Sequence, residues 1–366
     1  MIFGLSKSLP NTLSQWGVVF SALLGCSGKD AVDSNDTGQK SSVDTVDTGV
    51  DSGPADTSMS GADSDSETTP DTSDTQEPDT SGTETATDTE DTGLGFEVRR
   101  STGTYKTVDG AWAVTVAIDP DNKAACWGIC DTTSKDWPQE EFVQLRAGGG
   151  GSICGIMMDG RLECWNGEDY DEVSSHPTSG TYISVDVGFD FACAVDTDGF
   201  VHCWGVDDGG IDDFGQVTQT PTDSGYTQVS TGWYHACAIK TDGSVDCWGR
   251  DWKWKKPSKT NFTKLISGGA YNCGIYPDSS LECWGGEMEA ITLPSGEFTN
   301  VGGGFLSACA VSSDNQLFCW WIKGDLPVPD GEYLYVGGGY HHTCAVQTDG
   351  IVACWGDNDY GQSSPP

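Results

Sequence analysis

The sequence predicts an all-β chain built from seven copies of one short antiparallel sheet. Three observations carry this expectation. One pattern recurs seven times at nearly constant spacing, every copy has an aspartate-centred corner between alternating apolar residues, and the 366 residues include 49 Gly, 14 Trp and 15 Cys but few helix-forming runs. Self-similarity at a period of roughly 20 to 50 residues marks stacked repeats. Such repeats bury their faces against neighbours, so they form one cooperative body rather than several domains.

Each copy opens on an aromatic residue, at Tyr105, Phe142, Tyr182, Tyr226, Phe262, Phe298 and Tyr333. Three residues later comes Val108, Leu145, Val185, Val229, Leu265, Val301 or Val336. Each copy closes on a tryptophan: Trp127, Trp165, Trp204, Trp248, Trp284, Trp320 and Trp355, in steps of 38, 39, 44, 36, 36 and 35 residues.

Between these marks lies a hairpin. Counting from the first cysteine of a copy as zero (Val116 stands there in the first), Asp121, Asp159, Asp198, Asp242, Asp278, Asp314 and Asp349 all fall at +5. Gly160, Gly199, Gly243 and Gly350 follow, or Asn122, Ser279 and Asn315. Gly and Asn tolerate the left-handed backbone that a tight corner demands. A three-residue loop over +4 to +6 makes position zero face position ten, at a Cα separation of roughly 4.5 to 5.5 Å, within disulfide range.

The expected pairs are Cys154 with Cys164, Cys193 with Cys203, Cys237 with Cys247, Cys273 with Cys283, Cys309 with Cys319, and Cys344 with Cys354. Cys126 faces Val116 instead, which leaves Cys130 as its partner. Each ten-residue pair closes a loop worth up to about 2.7 kcal/mol by chain entropy. A zinc site would need clustered thiolates, which this spacing does not provide; no metal and no cofactor is expected.

Position +1 is always Ala or Gly and +2 always Val or Ile. Period-two alternation puts the cysteines and +2 on one sheet face, and the small +1 residue with the closing tryptophan on the other. A small residue beside a large ring suits closely stacked sheets, so the repeated tryptophans read as core rather than as a ligand cage.

Cysteines in such register belong to an oxidising compartment. Residues 1–25 read as a signal segment with the short apolar run WGVVFSALL, too short to span a bilayer. Leu23-Leu24-Gly25-Cys26 resembles a bacterial lipobox, which implies lipid attachment at Cys26 and a place in the cell envelope, and Ser27 after it resembles the pattern of lipoproteins sent on to an outer membrane; an ordinary cleaved signal, leaving a secreted protein, is the alternative. Residues 26–96 then form an Asp/Thr/Ser-rich stretch with eighteen acids against Lys29 and Lys40, too polar to offset the entropy of ordering, and are expected to be a disordered tether. Calcium loops need aspartates at fixed alternation, and these spacings wander.

The chain carries a net charge of −38; residues 97–366 alone hold 38 acids and 15 bases, a net of −23. That charge repels phosphate backbones and anionic lipid, so nucleic acid is not an expected partner and contact with a membrane would run through the lipid anchor only.

The signature G-x-x-H-x-C-A, then D-G, an apolar residue and C-W-G, resembles the RCC1 repeat. Gly232, His235, Cys237, Ala238, Asp242, Gly243, Trp248 and Gly249 carry it best, followed by Gly339, His342, Cys344, Ala345, Asp349, Gly350, Trp355 and Gly356, with Asp359-Tyr360-Gly361-Gln362 trailing. The likeness spans about residues 102–366. It implies a seven-bladed β-propeller over residues 97–366, closed by joining the segment after Gln362 to the strand near Tyr105. The best-known eukaryotic members act on a small GTPase at chromatin, partners that an exported acidic protein does not meet. Secreted bacterial relatives include an inhibitor that docks on β-lactamases, which makes protein binding plausible by fold analogy alone.

No nucleophile elbow, phosphate loop or HExxH helix is present. Of the five histidines, His235 and His342 sit at the repeat position and are expected to be structural. The 44-residue step lengthens the segment 206–225, and long loops on rigid scaffolds are common contact sites. One local anomaly is basic: Arg250, Lys253, Lys255, Lys256 and Lys259, interleaved with Trp252 and Trp254 outside the repeat pattern. This run is the candidate partner-binding patch, fit for an acidic protein or polysaccharide through aromatic and cation contacts; a solvated inter-blade loop is the competing reading. The expectation is a monomeric, non-enzymatic binding module, with a channel hydrolase or lyase, or a passive spacer, as alternatives.

Overall fold

The computed structural model describes residues 89–90, 96–130, 137–165, 175–251, 257, 259–286, 292–321 and 324–366. The signal segment, Cys26, most of the 26–96 stretch and residues 252–256 lie outside the described residues. Thr80–Pro366 is the second of the two units into which the chain divides.

Seven sheets follow one another along this unit. After β1 (Thr89–Glu90) and β2 (Val98–Thr104), the first blade is β3 (Thr107–Gly110), β4 (Val114–Ile118) and β5 (Ala124–Gly128). The second is β6 (Phe142–Ala147), β7 (Ile153–Met157) and β8 (Leu162–Trp165), and the third β9 (Tyr182–Val187), β10 (Phe191–Asp196) and β11 (Val201–Gly205). The fourth is β12 (Tyr226–Thr231), β13 (His235–Lys240) and β14 (Val245–Gly249); the fifth β15 (Lys264–Ser267), β16 (Asn272–Ile275) and β17 (Leu281–Trp284). The sixth adds β21 (Gly324–Leu326) to β18 (Phe298–Gly303), β19 (Ser307–Ser312) and β20 (Leu317–Trp321), and the seventh begins with β22 (Tyr333–Gly338), β23 (His342–Gln347) and β24 (Ile351–Gly356). The first strands of successive blades touch in order, and β22 touches β3, so these strands form a closed inner ring: the fold is a seven-bladed β-propeller.

The hairpin register is the one the corner chemistry implies. Cys237 faces Cys247, Cys193 faces Cys203 and Val116 faces Cys126. The +6 residue is left-handed in every copy, Ser279 (φ 63°) included. In four copies the +5 aspartate accepts the main-chain N–H two residues on, as Asp242 does from Ser244 at 2.9 Å. All seven expected disulfides are present, the cross-strand ones with Cα separations of 4.0–4.1 Å.

The alternation of faces sets how blades pack. Cys193 and Val195 of the third blade meet Ala236, Ala238 and Trp248 of the fourth. The same combination recurs where Cys309 and Val311 meet Ala345 and Trp355. Glutamines on the inner strands stitch neighbouring blades: Gln144 donates to Val185 O and accepts from Val185 N, both at 3.1 Å. Gln228 does the same with Leu265.

Ring closure differs in detail from the sequence expectation. β2 pairs antiparallel with β24 as the outer strand of the last blade, so the joint is made by β24 itself. The segment after Gln362 adds a single bond, Thr102 N to Pro366 O at 2.9 Å. β1 pairs in turn with β2, which brings Thr89–Glu90 out of the stretch expected to be tether. The cause is the free hydrogen-bonding edge that β2 presents to any adjacent extended segment.

Candidate functional site

In every blade the inner strand leads through a short loop into the second strand, and these seven loops gather at one end of the central channel. Their glycines are required by close approach. A Cβ on Gly188 would lie 2.7 Å from Gly232 O, one on Gly232 2.4 Å from Gly268 O, and one on Gly339 2.3 Å from Ala111 O. Main-chain bonds then link loop to loop: Trp233 N to Gly269 O, Gly269 N to Phe305 O, Phe305 N to Gly339 O and Tyr340 N to Ala111 O.

The residue after that glycine is aromatic in four blades: Phe189, Trp233, Phe305 and Tyr340. Trp112 follows Ala111 in the first. Four of these rings converge. Trp233 stacks on Phe305 with centroids 3.9 Å apart and on Tyr340 at 5.6 Å; Phe305 stacks on Tyr340 at 4.4 Å, and Phe189 tilts onto Trp233 at 4.9 Å. Rings from the third and fourth blades thus meet rings from the sixth and seventh across the axis, forming an aromatic crown over the channel end. The second and fifth blades carry glycine at this level, and a Cβ on Gly269 would stand 2.4 Å from Phe305 Cδ2. Phe305 is buried, while Phe189, Trp233 and Tyr340 are half-buried.

Two turns of related sequence extend the crown outward. Asp213-Phe214-Gly215-Gln216 lies in the long segment 206–225, and Asp359-Tyr360-Gly361-Gln362 follows the last blade. In each the glutamine Oε1 accepts the aromatic residue's N–H, from Phe214 at 2.7 Å and Tyr360 at 2.9 Å. The glycine is left-handed in both. Phe214 packs on Tyr234 at 5.1 Å and Tyr360 on Trp112 at 5.6 Å. Ile211, at the tip of the long segment, is 80% exposed.

The described members of the basic run have internal contacts. The Arg250 guanidinium lies over Phe214 at 4.5 Å and Tyr234 at 5.6 Å, at the crown's edge. Lys259 pairs with Asp278 at 3.0 Å and covers Tyr276. Trp252, Lys253, Trp254, Lys255 and Lys256 lie outside the described residues.

Behind the crown, the inner strands carry a charged cluster. Arg146 Nε lies 3.5 Å from Asp186 Oδ1, and its Nη1 is 3.4 Å from the Tyr335 hydroxyl of the seventh blade. Asp186 Oδ2 accepts from Ser230 Oγ and Thr231 N, and Asp109 Oδ2 accepts from Ala147 N at 3.1 Å. Burial pushes Asp109 up to about 7, with Asp186 adding repulsion and Arg146 pulling the other way. Burial also raises Asp186, again opposed by Arg146. One guanidinium shared between two carboxylates leaves the second partly uncompensated.

The repeat-position histidines are structural ties between blades. His342 Nε2 lies 2.7 Å from Thr115 Oγ1, whose own proton goes to Gln362 O, so the imidazole donates. His235 Nε2 lies 3.1 Å from Asn272 Oδ1. Burial lowers both to about 4. Among the described residues no group of three or more His, Cys, Asp or Glu is placed to hold a metal ion.

Sequence reasoning passed over the crown, although a signal was present. An aromatic residue stands four before the first-cysteine position at 112, 189, 233, 305 and 340, five copies of seven.

Comparison with known proteins agrees with this geometry. Residues 226–251 and 335–362 match the family described as the regulator of chromosome condensation (RCC1) repeat. The chain is an RCC1-like β-propeller. Among solved structures this propeller is similar to the CRINKLY WD40 ectodomain of the Arabidopsis thaliana receptor kinase ACR4, at 24% identity and TM-score 0.58, covering 72% of this chain and 99% of that one. It is similar to the ectodomain of the Physcomitrella patens receptor kinase CR4, at 21% identity and TM-score 0.58, over 70% of this chain and 74% of that. It is also similar to Prp20p from Saccharomyces cerevisiae, described with its binding to Gsp1p and histones, at 14% identity and TM-score 0.51, over 73% of this chain and 84% of that. No curated protein matches the chain. The RCC1-like propeller here differs from a bare repeat ring in its disulfide in every blade, which suits an oxidising environment.

Proposed function

We propose that this protein is a non-enzymatic binding module whose docking face is the aromatic crown. One observation carries the reading: rings from four blades, three of them part-exposed, converge on cross-linked loops at one end of the channel. Aromatic side chains give large contact area at low conformational cost, and clustered Trp and Tyr dominate binding energy at interfaces. The seven disulfides and interlocked loops keep the face pre-organised, which lowers the ordering cost of association. The lipobox-like Cys26 would tether the module to the cell envelope of a bacterium through the acidic 26–96 stretch. The basic run from Arg250 to Lys259 would add a second contact region that begins at the crown's edge, where Arg250 lies.

The test is affinity capture from the native envelope and medium with the intact, oxidised chain beside Trp233→Ala and Tyr340→Ala. A partner retained by the first bait and lost by both variants supports the reading. Equal capture by all three removes the crown from it.

A channel enzyme is the second reading, and Asp109 favours it. A carboxyl group that titrates near 7 beside Arg146 has the poise of a general acid or base. Turnover of glycan or ester substrates that Asp109→Asn abolishes would move the function into the channel.

A further inference from the structure

The crown carries information about the chemistry of what covers it. The loop after each third strand leaves at the crown's end, because the last residue of that strand faces the first of the second: Phe191 with Gly205, His235 with Gly249, His342 with Gly356. Main-chain bonds fix the departure, from Val206 N to Asp190 O, Arg250 N to Tyr234 O and Asp357 N to His341 O. Among the described residues, Asp207, Asp208, Asp212 and Asp213 follow the exit from the third blade, and Asp357 and Asp359 follow the exit from the seventh, so these acids stand at the crown's end. Arg250, at the exit from the fourth blade, is the base beside them; the connections then run on to the opposite end, where Glu141, Glu297 and Glu332 accept main-chain bonds from hairpin corners.

Acids also sit against the rings themselves. Asp212 and Asp190 both act on the Tyr234 hydroxyl and hold it above its ordinary range, after burial, while Asp357 acts on His341 and His342. The chain supplies an example of the cation such a surface accepts. Arg250 lies over the faces of Phe214 and Tyr234, between the crown and the acidic segment 206–225. A cation over an aromatic face gains about 0.5 to 2 kcal/mol, most where it is desolvated. An acidic rim around a ring face raises that preference and steers positive partners toward it.

We infer that the crown takes a basic, apolar segment of a partner protein, with lysine or arginine laid over Trp233 and Tyr340 and aliphatic or aromatic neighbours packed beside it. This rests on the crown being the docking face. A neutral polysaccharide would use the rings but gain nothing from the acids beside them, and an acidic partner would meet repulsion from Asp212, Asp213, Asp357 and Asp359.

The probe is a random dodecapeptide library displayed on phage, panned against the intact, oxidised chain at roughly physiological salt, where distant surface charges are screened. Trp233→Ala is panned in parallel, with the double variant Asp212→Asn/Asp357→Asn, which leaves the rings in place. The expected pool is rich in Lys and Arg beside Leu, Trp or Phe. Its peptides should weaken about tenfold on Trp233→Ala, equal to 1.4 kcal/mol, and several-fold on the double variant. A neutral or acidic pool that still needs Trp233 overturns the partner class and leaves the crown as docking face. A pool indifferent to Trp233 overturns both. No enrichment on the wild-type chain, with a neutral glycan array retained in a Trp233-dependent way, also overturns the basic-segment assignment alone.

Discussion

Trp233 stacks on Phe305 at 3.9 Å although the fifth blade lies between theirs. The contact exists because Gly269, at the equivalent level of that blade, has no side chain to intervene. Gly269→Ala would put its methyl group 2.4 Å from Phe305 Cδ2 and 2.5 Å from Phe305 O. It should cost about 1–3 kcal/mol of stability, the range for overpacking, and weaken partner capture, because the rings part. Urea unfolding beside a capture assay checks both.

Two classes of tryptophan separate in this fold. Trp248 is buried between blades and donates its indole N–H to Gln216 O at 2.9 Å. Trp248→Ala should cost about 3–5 kcal/mol, as large core truncations do. Trp233→Ala, at a half-buried site, should cost much less stability and most of the docking. Thermal unfolding of the two variants distinguishes the roles.

Stability should fall in acid through the histidine ties. His235 and His342 are 1% and 3% exposed and lowered to about 4 in the fold, against an ordinary 6.5. Nδ1 of His342 is buried without a hydrogen-bond partner among the described residues, so a second proton has nothing to receive it. Each folded-state value is depressed, so the unfolded chain binds protons first. The stabilisation is full above about 6.5 and is lost as pH falls toward 4, by up to about 3 kcal/mol per histidine at 1.36 kcal/mol per pH unit. Urea unfolding between pH 7.5 and 4.5 should show this slope, and His342→Gln should flatten it.

Asp109 works in the opposite direction. Its folded value is raised from 3.8 to about 7, so the unfolded chain ionises first and the favourable contribution, present below 3.8, is gone once pH passes 7. Asp109→Asn keeps an oxygen for the Ala147 N–H and removes the charge. It should leave stability near pH 4 unchanged and raise it at pH 8 by about 1 kcal/mol or more. A loss at pH 8 would mean that the Arg146 pairing outweighs burial.

The repeat, the hairpin register, the disulfide partners and the two packing faces were legible in the sequence because each follows from short-range chemistry. An aspartate corner with a left-handed residue fixes the register, and the register fixes which cysteines meet. Closure was legible only in outline, since nothing local to β2 states that it pairs with β24. The crown was missed because Phe189, Trp233, Phe305 and Tyr340 lie up to 151 residues apart, and their convergence is a property of the ring. The charged cluster was hidden likewise, with Asp109, Arg146, Asp186 and Tyr335 each unremarked on its own inner strand.

The most direct test of the docking account compares the two ends of the propeller. Phe200, 41% exposed on a hairpin corner at the end away from the crown, is the control position. Capture of the native partner is measured with the intact chain, Trp233→Ala and Phe200→Ala, each confirmed folded and oxidised. The account predicts capture retained by Phe200→Ala and lost by Trp233→Ala. Capture retained by Trp233→Ala and lost by Phe200→Ala would contradict it.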